Sequence, residues 1–90
     1  MSKAIVDPEE LRRFANDLKR FNNELHGQLS ALHGRLLELG QTWRDQEHTK
    51  FVEEFDKTTK ALARFISTSN EHIPFLLRKA ERVDEYLQQR

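Results

Sequence analysis

Residues 7–40 read DPEELRRFANDLKRFNNELHGQLSALHGRLLELG, and the reading of this stretch decides the fold. Asp7 suits an N-cap, Pro8 suits the first helical position, and Glu9 and Glu10 set carboxylates at the positive end of a helix dipole. Glu10 also stands three residues after Asp7, the spacing of a capping box. Leu11, Phe14, Leu18, Phe21, Leu25, Leu29, Leu32, Leu36 and Leu39 then follow at steps of three or four. On a helix these nine side chains fall within roughly 80° of one another, a narrow apolar seam suited to a helical partner. The pattern stops at Gly40, the residue type that most often ends a helix. A helix over about 8–39 is expected.

A second helical period begins almost at once. Thr42 is a candidate cap with Asp45 three residues on. Its stripe runs Phe51, Phe55, Leu62, Ile66, Ile73, Leu76, Ala80, Val83 and Leu87, with Thr58, Thr59 and Ser69 filling the gaps. A turn at about 40–42 leaves so little chain that the two helices must be antiparallel neighbours. Pro74 removes one backbone hydrogen bond and clashes with the preceding turn, at ~3 kcal/mol in a helix interior. It also disfavours helical geometry at Ile73. The apolar phase nevertheless continues past it. The second helix is therefore read as about 43–73, with a continuation over about 75–88. The fold class is all-α: an antiparallel helical hairpin with a kinked or broken second helix, a single domain over 1–90, dimerising into a four-helix bundle.

Matching the lengths of 8–39 and 43–73 places Pro74 near the open end of the hairpin. Residues 75–88 would then overhang by ~20 Å, at about 1.5 Å per residue. Phe75, Leu76, Arg82, Val83, Tyr86 and Leu87 form the candidate interface on this overhang. A second copy of the chain is the simplest cover for it, and folding back onto the same hairpin is the competing one. Phe75 and Tyr86 fall away from the stripe, beside Arg78, Lys79 and Arg82, a composition common at binding hot spots.

Composition excludes several functions. Ninety residues make one small domain, for which oligomerisation is a common support. There is no cysteine, so disulfides and thiolate metal sites are excluded. Lys+Arg and Asp+Glu number 15 each, so the whole chain has no built-in attraction to nucleic acid or to an anionic membrane, although a local basic patch is compatible. No apolar run approaches the ~20 residues of a membrane span, and no membrane insertion is expected. Met1 to Val6 lacks the apolar core of a Sec-type signal peptide, which leaves a cytoplasmic location or export by another route.

No constellation points to catalysis. A Gly-rich phosphate loop, a His-Glu-x-x-His helix and a cysteine nucleophile are all missing. Asp45 with His48, and Glu53 with Glu54, lack a cavity that would shift their pKa values. Leu25-His26-Gly27-Gln28-Leu29 is echoed by Leu32-His33-Gly34-Arg35-Leu36. His26 and His33 are then about 10 Å apart along the axis, too far to hold one ion directly, and read as solvated flanks. Gly27 and Gly34 fall on the face opposite the leucine seam, a face that is open to close approach or simply tolerant. Neither enzyme activity nor a cofactor is expected.

The connection reads Leu39-Gly40-Gln41-Thr42-Trp43-Arg44-Asp45, with Phe51 and Phe55 beyond it. A lone tryptophan at a helical turn, with a phenylalanine eight residues later, resembles the WXG family. The resemblance covers helix, tryptophan turn and helix. It implies a helical hairpin of this length, pairing with itself or a related hairpin chain, and association with type VII secretion components. The turn motif would be Trp43, Arg44 and Asp45, with Asp45 where the family has glycine. The family's Tyr-x-x-x-acid export signal has no counterpart, since Tyr86 is followed four residues later by Arg90. A cytoplasmic adaptor or structural protein with the same hairpin and no secretion role is the alternative. Trp43 is expected to close the ends of both helices.

Overall fold

The computed structural model describes residues 6–89, so the arm Met1 to Ile5 lies outside the described residues. Two helices, α1 (Pro8–Leu39) and α2 (Gln46–Gln88), form an antiparallel hairpin, a rod 68 Å long and 17 Å across. No strand occurs among the described residues.

The start of α1 follows the local chemistry of its first residues. The Asp7 carboxylate accepts a hydrogen bond from the Glu9 amide at 2.9 Å, satisfying one of the free donors of the first turn. At the other end Gly40 caps the helix with φ −62°, in the right-handed region. A left-handed turn is therefore not what glycine supplies here. A Cβ at position 40 would sit 3.3 Å from the Leu37 carbonyl and 3.6 Å from the His48 ring, so the residue serves close approach.

The connection is longer than the spacing suggested. The cap of α2 is Asp45, whose carboxylate accepts from the His48 amide at 3.0 Å. Thr42 instead turns its hydroxyl back to the Leu39 carbonyl at 3.3 Å. The expected start near residue 43 is therefore corrected to Gln46, because the stronger acceptor stands nearer the helix. Trp43 and Arg44 belong to the connection. The second helix then runs unbroken through Pro74 to Gln88.

The packing seam is rotated from the one that hydrophobicity alone selects. Its buried residues are Pro8, Ala15, Asn22 and Leu36 on α1, and Ser69 and Ala80 on α2. Leu11, Leu18, Leu25 and Leu29 are half-buried beside them, facing Val52, Phe55, Leu62, Ile66, Ile73 and Leu76. Phe14, Phe21, Leu32 and Leu39, expected in the seam, are 56, 50, 48 and 45% exposed. Ala15 and Asn22 share the same three-and-four spacing and take the inner line, since small side chains let the backbones approach closely.

Asn22 lies at the centre of this seam, 1% exposed. Its Nδ2 donates to Ser69 Oγ at 2.8 Å and to Asn70 Oδ1 at 2.9 Å. Ser69 Oγ in turn donates to the Phe65 carbonyl at 2.7 Å. Four residues after Asn70, Pro74 brings no N–H to the Asn70 carbonyl, so the polar crossing sits beside the one interrupted rung of α2.

The pairing also removes the expected overhang. Asn22 faces Ser69, and the Arg12 guanidinium pairs with the Asp84 carboxylate. Ala80 is completely buried against α1. Residues 75–84 therefore run alongside the first turns of α1, and no more than the last turn of α2 passes beyond them. The longer connection and later start of α2 shift the register toward the C-terminus. The hydrogen bond that the Arg12 guanidinium donates to the Asp84 carboxylate raises the Arg12 pKa above its ordinary value.

Candidate interaction surfaces

The turn motif is built from three side chains with separate tasks. Trp43 is half-buried, its ring 5.0 Å from that of His48 and 6.0 Å from that of Phe51. Phe51 continues to Phe55 at 6.0 Å, so a run of aromatic rings leads from the closed end into the seam. Arg44 Nε donates to the Gly40 carbonyl at 3.4 Å. No basic residue occupies the last turn of α1, and this guanidinium supplies positive charge at the negative end of that helix. Asp45 performs the opposite service at the start of α2. The motif thus ties one helix end to the next, with the indole covering the joint.

A second feature lies along one side of the hairpin. Phe14, Phe21, Leu32 and Leu39 stand about 60–100° round α1 from its buried line. On α2, Phe65 stands to the same side of the buried line, whereas Phe51, five helical turns before Ser69, lies on that line at the closed end; they are 47 and 46% exposed. Phe21 and Phe65 meet edge to face across the helices, with ring centroids 6.2 Å apart. Phe14, Phe21, Leu32, Leu39 and Phe65 form an apolar face along most of the rod, with Phe51 at its closed end. The leucine and phenylalanine periodicity carries its signal, but the same pattern fits an inner seam equally well.

The residues first placed on the C-terminal overhang divide between two surroundings. Leu76 and Val83 are half-buried toward α1, with Leu87 more open near the helix end. Phe75, Arg82 and Tyr86 are exposed, the aromatics at 52 and 54%. On the side of the hairpin away from the apolar face, His26 and His33 border a shallow groove of about 340 Å³ with Thr59 and Ala63. Among the described residues no group of three His, Cys, Asp or Glu could hold a metal ion. Asn22, Asn70 and the Gly40–His48 contact were not singled out from sequence. The regular spacing of Asn22 between Leu18 and Leu25 was the available clue.

A hairpin closed by a tryptophan turn, with a small-residue seam and an apolar flank, defines a small helical-hairpin protein. The chain belongs to the WXG100 family, proteins of 100 residues with WXG, which it matches over residues 4–86. Solved structures of the secreted protein EsxB from Bacillus anthracis strain Sterne are similar. The wild-type form is 27% identical, with 94% of this chain and 99% of that chain covered and a TM-score of 0.78. A glycine-to-alanine variant is 28% identical, with 91% and 94% covered and a TM-score of 0.74. A proline-to-alanine variant is 27% identical, with 94% and 96% covered and a TM-score of 0.78. Comparison with curated proteins gives no match. The family resemblance drawn from the Trp43 turn and the helical-hairpin fold are both borne out.

Proposed function

We propose that this protein is a non-enzymatic interaction module of type VII secretion that works as a dimer with itself or a related hairpin. The single observation that carries the reading is the apolar face of Phe14, Phe21, Leu32, Leu39 and Phe65. Five large side chains about half exposed along one side of a two-helix rod are a substantial unsatisfied apolar surface, of the kind that marks protein contacts. Laying two such faces together makes a four-helix bundle in which all four helices contribute to the core. The interface is therefore on the flank of the hairpin, and only incidentally at its C-terminal end.

Secretion is supported by family membership and by the secreted EsxB relatives. The test is the solution mass across a dilution series, with Phe21→Ser and Phe65→Ser combined as the comparison, followed by capture of the purified dimer on an immobilised type VII secretion ATPase. A dimer that persists at low concentration and is lost in the variant supports the pairing. A wild-type monomer sinks the self-pairing and directs attention to a related hairpin chain. The reading as an adaptor or structural protein outside secretion is favoured by Arg90, which stands where an acidic export residue would follow Tyr86. Dimerisation without ATPase capture would support it.

A further inference from the structure

Phe75 and Tyr86 lie at helical spacing on the same side of α2 as Phe65, so the apolar flank reaches the open end of the rod. This extended flank is symmetric about its middle. Asn22 meets Ser69 near the midpoints of both helices. Counted outward from Asn23 on α1, Phe14 and Leu32 stand equally far to either side, as do Phe21 and Leu25. On α2 the same holds, to within a residue, about Thr68 and Ser69. Phe51 balances Tyr86 there, and Ala61 balances Phe75. Charges on the flank and its edge follow the rule with opposite signs: Glu10 balances Arg35, and Glu54 balances Arg82. Arg35 and Arg82 make no ion pair among the described residues.

We propose that the occupant of this flank is a second copy of the chain laid end for end, and that Glu10 with Arg35 and Glu54 with Arg82 select self over a related hairpin. The inference rests on the flank being the pairing surface. Turned end for end about the Asn22–Ser69 crossing, two copies set α1 against α1 and α2 against α2, and they overlap over their whole length. Phe14 then meets the partner's Leu32, Phe21 the partner's Leu25, and Phe75 the partner's Ala61. Glu10 meets the partner's Arg35 and Glu54 the partner's Arg82, each pair occurring twice by symmetry. Lys57 approaches the partner's Lys79, a like-charged contact that Glu54, 3.6 Å from Lys57, offsets. Copies laid with their closed ends together would set α1 against α2 instead. Phe21 would then face the partner's His72, Leu39 the partner's Glu54, and Arg35 the partner's Lys57. A related hairpin fits only if it repeats both the apolar order and the signs of charge about the same midpoint, and like charges penalise one that does not.

The test mixes the full wild-type chain with one in which all four signs are exchanged: Glu10→Arg, Arg35→Glu, Glu54→Arg and Arg82→Glu. The exchange leaves the net charge unchanged. Native mass spectrometry of the equilibrated mixture counts the species. The exchanged chain should pair with itself within about threefold of the wild type, because every opposite-charge contact is kept. In the mixed dimer all four contacts turn repulsive, and it should fall at least about tenfold below its statistical share. Arg35→Glu alone should weaken self-pairing severalfold, and adding Glu10→Arg should restore it. Pairing with closed ends together gives no such rescue, since position 10 would then face the partner's Arg82. A mixed dimer at its statistical share, or an exchanged chain that is helical but monomeric, overturns the proposal. A wild type that is monomeric alone also overturns it, yet leaves the flank open to a related hairpin. A dimer that survives Phe21→Ser with Phe65→Ser overturns the flank reading itself.

Discussion

The inner seam and the outer apolar flank of this hairpin reverse the usual distribution of side chains. The seam buries Ala15, Ala80, Ser69 and Asn22, while Phe14, Phe21 and Phe65 stand about half exposed on the flank. A small inner line lets two helices approach closely but removes little apolar surface from water. By itself such a seam is a weak source of stability, at about 25 cal/mol per Å² of buried apolar area. The large side chains are placed where only another molecule can cover them. A two-helix chain thus leaves much of its hydrophobic driving force unused within the hairpin itself.

The largest effect should come from the flank. Phe21→Ser combined with Phe65→Ser removes two aromatic side chains per copy, and the dimer should dissociate at concentrations at least about 100-fold higher, at about 1.4 kcal/mol per factor of ten. Light scattering over a dilution series measures this, and an unchanged midpoint would show that the flank is not the pairing surface. Next, Ala80→Leu forces a large side chain between closely packed helices and should cost ~1–3 kcal/mol in urea unfolding at fixed protein concentration. A smaller loss would mean that the seam has slack.

Trp43→Ala should cost about 2 kcal/mol, less than the ~3–5 kcal/mol of a fully buried tryptophan, because the indole is only half-buried at the joint. A loss at the upper end would show that the ring is also covered by a partner. Asn22→Leu sharpens the comparison in the other direction. Asn22 Oδ1 is buried with no hydrogen-bond partner among the described residues. Replacing it with an apolar side chain should raise stability by ~1 kcal/mol. A net loss in the same unfolding assay would show that the bonds to Ser69 and Asn70 outweigh that cost.

The smallest effect concerns the spelling of the turn. Asp45→Ala should cost about 1 kcal/mol by removing the cap of α2, whereas Asp45→Gly, which restores W-x-G, should cost only a few tenths. Equal losses would mean that the carboxylate does more than cap. Circular dichroism during thermal unfolding resolves the two.

Much of the candidate site was legible from residue types at short range. Asp7 and Gly40 bound the first helix, Trp43 marked the joint, and the family resemblance followed from that turn. The cap of α2 was misplaced by three residues because Thr42 and Asp45 both suit the role, and only the hydrogen bonds separate them. Asn22 escaped notice because a polar residue carries no hydrophobic signal. Phe14 and Phe21 were assigned inward because a hydrophobic pattern shows which side chains avoid water, without showing which neighbour removes them from it.

The sequence by itself determined two amphipathic helices, an antiparallel return and the Asp7 cap of α1, since each depends on residues within a few positions of one another. Only the tertiary structure decided which of two adjacent stripes lies inside, that Arg12 meets Asp84, and that the C-terminal residues run alongside α1 instead of beyond it. Those outcomes depend on how closely two backbones approach and in what register, a distance set jointly by Ala15, Asn22, Ser69 and Ala80 from opposite ends of the chain.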